Sequence, residues 1–225
     1  MTTNDPAAFS GFTFLRHPAA RMTATIVILA LAIVPWLPFP WRIPLVAVLA
    51  LLLVRLETGS LAPAGLAPAS WKQTFAWGIG TTVFCLVVIS HGITPLVEWL
   101  FDIKADYSGY GALEGNLPAT AVLLGKAMIS AAVGEEVVYR GFLLHQLRKL
   151  FGESRIGLWA AILLGSAIFA LPHHEQDIAG ILSVFLAGVL LGWVFIRSGR
   201  NLWAVMLAHA LIDTWGITML YLGWW

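Results

Sequence analysis

Apolar stretches long enough to cross a bilayer follow one another with few charges inside them, and this constrains the chain more than any other feature. About 20 mainly apolar residues, each rising 1.5 Å along a helix, span the hydrocarbon of a membrane. Seven stretches come near that length: 22–39, 42–55, 74–100, 117–150, 156–173, 178–197 and 202–223. Charged residues make up only 11% of the 225, against roughly 25% in an ordinary soluble domain, too few to cover a surface in water. The expected fold is all-α, a polytopic transmembrane helical bundle of seven or eight helices. It forms one integral membrane domain over 1–225, with its chemistry on helices between about 117 and 215.

Local signals refine this outline. Arg16 and Arg21 precede an apolar run from Thr23 to Val34, the charge order of a secretory signal. Pro35-Trp36-Leu37-Pro38 stands where a small-residue cleavage site would follow, so the run reads as a retained membrane helix. The second stretch is short, and its Pro44 suits a first helical turn, where the missing N–H costs little. Segment 56–72, with Pro63, Gly65, Pro68 and Ser70, and segment 101–116, with Asp102, Asp106 and Glu114, read as connections outside the hydrocarbon. Gly188 and Gly192, with Gly180 two turns earlier, allow close helix packing, here expected within the chain.

Lys and Arg in short loops set orientation. With seven alternating spans, Arg16, Arg21, Arg55, Lys72, Arg148, Lys149, Arg155, Arg197 and Arg200 fall on one side, with Arg42 and Lys104 against the trend. That side is expected to be cytoplasmic in a cell (inner or plasma) membrane, placing the N-terminus inside and Trp224 and Trp225 outside. A net charge of +1 and the lack of a basic stripe argue against nucleic-acid binding. The single cysteine, Cys85, can form no intrachain disulfide and reads as a small buried or lipid-facing residue.

Against this apolar background a few ionisable residues stand out, and inside a membrane such residues usually face a cavity and serve function. Glu135, Glu136 and Arg140 lie on the fourth stretch, Phe169 and His173 close the fifth, and His209 and Asp213 lie on the seventh. Glu136 and Arg140 are i,i+4 neighbours in the favourable order for an ion pair. This leaves Glu135, about 100° round the helix, as the carboxylate free for chemistry. His209 and Asp213 share the same spacing, so Asp213 can hydrogen-bond the imidazole and fix its tautomer. At 1.5 Å per residue Glu135 and His173 lie about 20–24 Å from the cytoplasmic ends of their helices, level with each other. His209, about 12 Å from Asn201, matches only if its helix starts deeper or tilts.

Water activation is the chemistry these residue types allow. Removal from water disfavours a charged carboxylate and makes it a usable general base. With Glu135 polarising a water, His173 beside it and His209 aimed at the carbonyl oxygen, the set would hydrolyse an amide. A zinc site of Glu135, His173 and His209 with an open position is an alternative. No H-E-x-x-H supports it, and the reading taken is that no cofactor is needed.

Glu135-Glu136-x-x-x-Arg140, Phe169-x-x-x-His173 and His209-x-x-x-Asp213, in this order on membrane helices, resemble the three motifs of the CAAX protease and bacteriocin-processing (CPBP, or Abi) family. That family includes the type II CAAX prenyl endopeptidase. The resemblance implies a glutamic intramembrane endopeptidase with Glu135 and His173 activating water, and with His209 and Asp213 at the oxyanion. Glu136, Arg140 and Phe169 would support them. The family's last motif often ends in Asn; an ionised Asp213 cannot donate a hydrogen bond, and orienting His209 suits it better. The expected partners are the lipid bilayer and a membrane-anchored or membrane-inserted peptide, and nothing in the sequence identifies a prenyl pocket. The competing readings are a non-catalytic peptide-binding or immunity factor of the same fold and a proton-coupled transporter. The inverted repeats common in transporters are not visible.

Overall fold

A computed structural model describes residues 14–15, 17–67 and 70–224, so Arg16, Pro68 and Trp225 lie outside the described residues. Among the described residues every regular element is helical. Helix α1 (Pro18–Ile33) starts with Pro18 at its first position and His17 accepting from the Ala19 N–H, and it ends one residue before Val34. Pro35 dictates that end, because a proline disfavours helical backbone in the residue before it. Helix α2 (Arg42–Thr58) follows, closed by Gly59 at φ +75°, whose N–H bonds the Arg55 carbonyl. The long helices α3 (Trp71–Phe101) and α4 (Leu117–Phe151) come next.

The run Arg155–Arg197 is continuous by helical hydrogen bonding, yet it doubles back. Helix α5 (Arg155–Ala170) gives way to a tight turn, Leu171–Gln176, in which His173 leaves helical geometry, and α6 (Asp177–Arg197) returns. Gly188 lies against Ser166 and Phe169, and Gly192 against Ile162, an antiparallel register. The expected intramolecular role of these glycines is what the structure contains: a side chain at either would press on α5. Helix α7 (Leu202–Leu222), capped by the Asn201 side chain, completes the bundle.

Four helical runs are long and apolar enough to cross a membrane: Trp71–Phe101, Leu117–Phe151, Arg155–Arg197 and Leu202–Leu222. The expected seven or eight membrane helices are not confirmed. The 16 residues of α1 and 17 of α2 amount to about 24–26 Å at 1.5 Å per residue, short of a full crossing. The described surface nevertheless suits lipid: Val48, Val87, Phe101 and Ile156 are more than 60% exposed, while Glu136 and Arg140 are fully buried. Contiguous exposed apolar surface of this kind marks a membrane or partner contact.

Two features position the interior. At one end Glu57, buried on α2, accepts from Lys149 Nζ at 2.7 Å and Gln146 Nε2 at 2.9 Å and lies 3.8 Å from Arg21 Nε, so α1, α2 and α4 are tied together. There, too, the turn-rich segment folds inward: Leu202 N–H donates to the Gly65 carbonyl, and Gly65, at φ +82°, sits where a Cβ would strike Phe195 and the Arg200 carbonyl. Asn201 and Leu202, at the start of α7, are buried there. At the opposite end the 102–116 connection lies over the bundle. Its Asp106 N–H donates to the Gln176 carbonyl and its Gly115 N–H to the Tyr221 carbonyl.

Candidate active site

Helices α3 and α4 both relax into wider π turns. On α3 this is Cys85–Ile93; on α4 it is Met128–Glu135 and Val137–Leu143, flanking Glu136. Wide turns of this kind are rare and occur often at functional sites. Glu135 from α4, Phe169 and His173 from the α5–α6 hairpin, and His209 and Asp213 from α7 line one cavity of about 300 Å³. Leu86 and Ser90 of the α3 π turn line it as well.

Glu135 is half-buried at this cavity and has no hydrogen-bond partner among the described residues. Its neighbour Glu136 is fully buried and engaged. One oxygen, Oε1, accepts from Arg140 Nη1 at 2.8 Å and meets His209 Nδ1 at 2.7 Å. A carboxylate paired with a guanidinium can only accept, so His209 Nδ1 carries its proton toward Glu136 and presents Nε2 on the other side of the ring. Asp213 Oδ1 lies 3.6 Å from that Nε2, beyond hydrogen-bond length. The expected hydrogen bond between His209 and Asp213 is therefore corrected: Glu136, across the helix interface, accepts from His209 Nδ1 and holds the imidazole. The i,i+4 spacing within α7 places Asp213 on the right face but not within reach.

His173 sits on the turn rather than on a helix, also a correction to the expected span, which α5 leaves at Ala170. Pro172 and the break at His173 turn the chain there, and the ring is anchored by Nδ1 to the Phe169 carbonyl at 3.3 Å. Since a carbonyl only accepts, Nδ1 is the donor and Nε2 is left with its lone pair. Phe169 joins the parts. Its ring lies 4.3 Å under the Arg140 guanidinium, 5.5 Å from His173 and 6.1 Å from His209. Arg140 Nη2 also donates to the Gly188 carbonyl at 3.3 Å, so the ion pair is clamped to α6.

Sequence reasoning missed two lining residues, Tyr110 and Gln176, whose side chains meet with Gln176 Nε2 donating to the Tyr110 hydroxyl at 2.6 Å. Neither belongs to a motif, and only the packing of the 102–116 connection over the hairpin turn brings them together. His174 and Glu175, beside His173 in sequence, are exposed and do not line the cavity. Among the described residues no three His, Cys, Asp or Glu side chains converge as a metal site would require.

No curated protein and no solved structure matches this chain. The family model described as Type II CAAX prenyl endopeptidase Rce1-like matches residues 116–215, the stretch that brings Glu135, His173, His209 and Asp213 to this cavity.

Proposed function

We propose that the chain, acting as one membrane unit, is an intramembrane glutamic endopeptidase that hydrolyses peptide bonds of membrane-associated substrates. The observation that carries this reading is the division of labour between adjacent carboxylates. Glu136 is consumed by Arg140 and His209, while Glu135 is left without a hydrogen bond and open to the cavity that His173 and His209 also line. A water between Glu135 and His173 gives up its proton to the carboxylate as it attacks the peptide carbonyl carbon. His209, as an imidazolium with its Nδ1–H fixed on Glu136, donates its Nε2–H to the carbonyl oxygen and stabilises the negative charge that grows there. The proton on Glu135 then passes to the leaving amine as the C–N bond breaks. Asp213, 3.6 Å from His209 Nε2, adds a carboxylate beside the ring that Glu136 orients. In this reading Glu135 acts as the base and no step draws on a metal.

In this reading the end of the bundle that carries Arg21, Glu57 and Lys149 faces the cytoplasm of a cell membrane, in keeping with the excess of basic residues on that side. The substrate is anchored in the same bilayer. A prenylated Cys-a-a-X peptide is one candidate, suggested by the family's description. Purified protein in liposomes, given internally quenched peptides anchored by farnesyl-cysteine or by an acyl chain alongside their unanchored counterparts, is expected to cut anchored peptides at least about 10-fold faster, because confinement to the bilayer raises effective concentration. Equal rates for anchored and soluble peptides would contradict the membrane-substrate assignment.

A further inference from the structure

The cavity holds a donor that the three motifs do not include. Tyr110, in the short helical turn Ser108–Tyr110 of the connection between α3 and α4, lines the same cavity as Glu135, His173 and Asp213. Its hydroxyl oxygen accepts from Gln176 Nε2 at 2.6 Å. A phenol has one proton to give, and the Tyr110 proton has no acceptor among the described residues. Gln176 itself is buried and held in the turn that carries His173, whose end is fixed by the bond from the Asp106 N–H to the Gln176 carbonyl. The Tyr110 oxygen is thus located by one bond while its proton remains available. On α7 Asp213, which lines the same cavity, has its Oδ2 buried with no partner. An unpaired donor and an unpaired acceptor lining one cavity are what the C=O and N–H of an extended peptide would satisfy, since each is costly to leave unmade once the peptide covers it.

Resting on the endopeptidase reading, we infer that Tyr110, positioned by Gln176, is a substrate-contacting residue: its O–H donates to a backbone carbonyl of the bound peptide, while Asp213 Oδ2 accepts a backbone N–H of the same strand. Substrate recognition then draws on the main chain near the cut, and the 102–116 connection is a working wall of the site. Burial of the hydroxyl and the carboxylates of Asp213 and Glu135, with Tyr107 beside it, push the Tyr110 phenol up to about 12. The phenol therefore keeps its proton near neutral pH, with His173 and His209 the other titratable groups on the cavity wall.

The test separates donation from mere support of the loop, because a phenolate still accepts from Gln176 but can no longer donate. The anchored quenched peptide that the wild-type protein cuts fastest serves as the probe, with Glu135→Gln as the reference for loss of chemistry. Tyr110→Phe is expected to lower kcat/KM about 10- to 100-fold, chiefly through KM, and Gln176→Leu added to Tyr110→Phe to cost little more. A trifluorotyrosine at position 110, more acidic but equally able to accept, is expected to bring an alkaline loss of kcat/KM down to a pH at which the wild type is still active. An unchanged KM in Tyr110→Phe, or a fluorinated protein whose pH profile coincides with the wild type, would overturn the inference. Where the wild type cuts and Glu135→Gln does not, these outcomes bear on Tyr110 alone. A wild type that cuts no anchored peptide removes the endopeptidase reading and this inference together.

Discussion

Replacing Glu135 by Gln is expected to lower the rate of peptide cleavage by about 10²- to 10⁴-fold, the usual contribution of a general base, while leaving the protein folded and in the membrane. The reason is the isolation of this side chain. Glu135 lines the cavity and has no hydrogen-bond partner in the protein among the described residues, so an amide of nearly the same shape disturbs no ion pair. What it removes is the ability to take a proton from water. The same change one residue later is different in kind: Glu136→Gln strips the anion from Arg140 and leaves His209 only a neutral amide oxygen to meet, and should damage folding and rate together. Parallel turnover and thermal-unfolding measurements on the two variants check the distinction. Normal turnover by Glu135→Gln would remove that residue from the mechanism.

Arg140→Ala is expected to act on stability first. Glu136 is 0% exposed and its Oε2 is already without a partner. Without the guanidinium it becomes an uncompensated buried charge, at a cost of roughly 3–5 kcal/mol. The bond to the Gly188 carbonyl and the stacking on Phe169 go as well. In a chain of this size such a loss corresponds to a fall in melting temperature on the order of 10 °C. His209, still tethered to Glu136, should keep part of its alignment, so the specific activity of the surviving folded protein is expected to fall less than its yield. An unchanged melting temperature with activity abolished would instead place Arg140 in contact with the reacting groups. Arg140→Lys is the intermediate case. It retains charge but loses the planar fork that meets Glu136 and Gly188 at once.

The parts of this architecture legible in the sequence are those governed by composition and by spacing within one helix. Helical, lipid-compatible structure follows from the apolar runs, and the Glu136–Arg140 pair follows from i,i+4 geometry. Gly188 and Gly192 pack within the chain for the same local reason. What the sequence conceals is set by contacts between elements. His209 has two candidate acids, one in its own helix and one 73 positions away, and only the packing of α7 on α4 shows that the distant Glu136 takes the hydrogen bond. That Gly65 and Ala64 fold inward and bury the start of α7 is likewise something a turn-rich composition does not show. The π turns of α3 and α4 have no sequence signature, and the position of Tyr110 depends on how a connection lies across a hairpin turn. The count of membrane helices is not confirmed for the converse reason: hydropathy measures apolar length, and α1 and α2 are apolar but short.

The most direct test of the central claim, hydrolysis by a glutamate-activated water with no metal, is cleavage by protein that has been stripped of metal. Purified chain treated at length with EDTA and phenanthroline, verified by elemental analysis to hold no stoichiometric zinc, and returned to liposomes with an anchored peptide should still release two fragments. Mass spectrometry should place them on either side of one peptide bond, at a rate equal to that of untreated protein. Loss of cleavage on stripping, restored by adding zinc back, would contradict the account and make Glu135, His173 and His209 metal ligands instead.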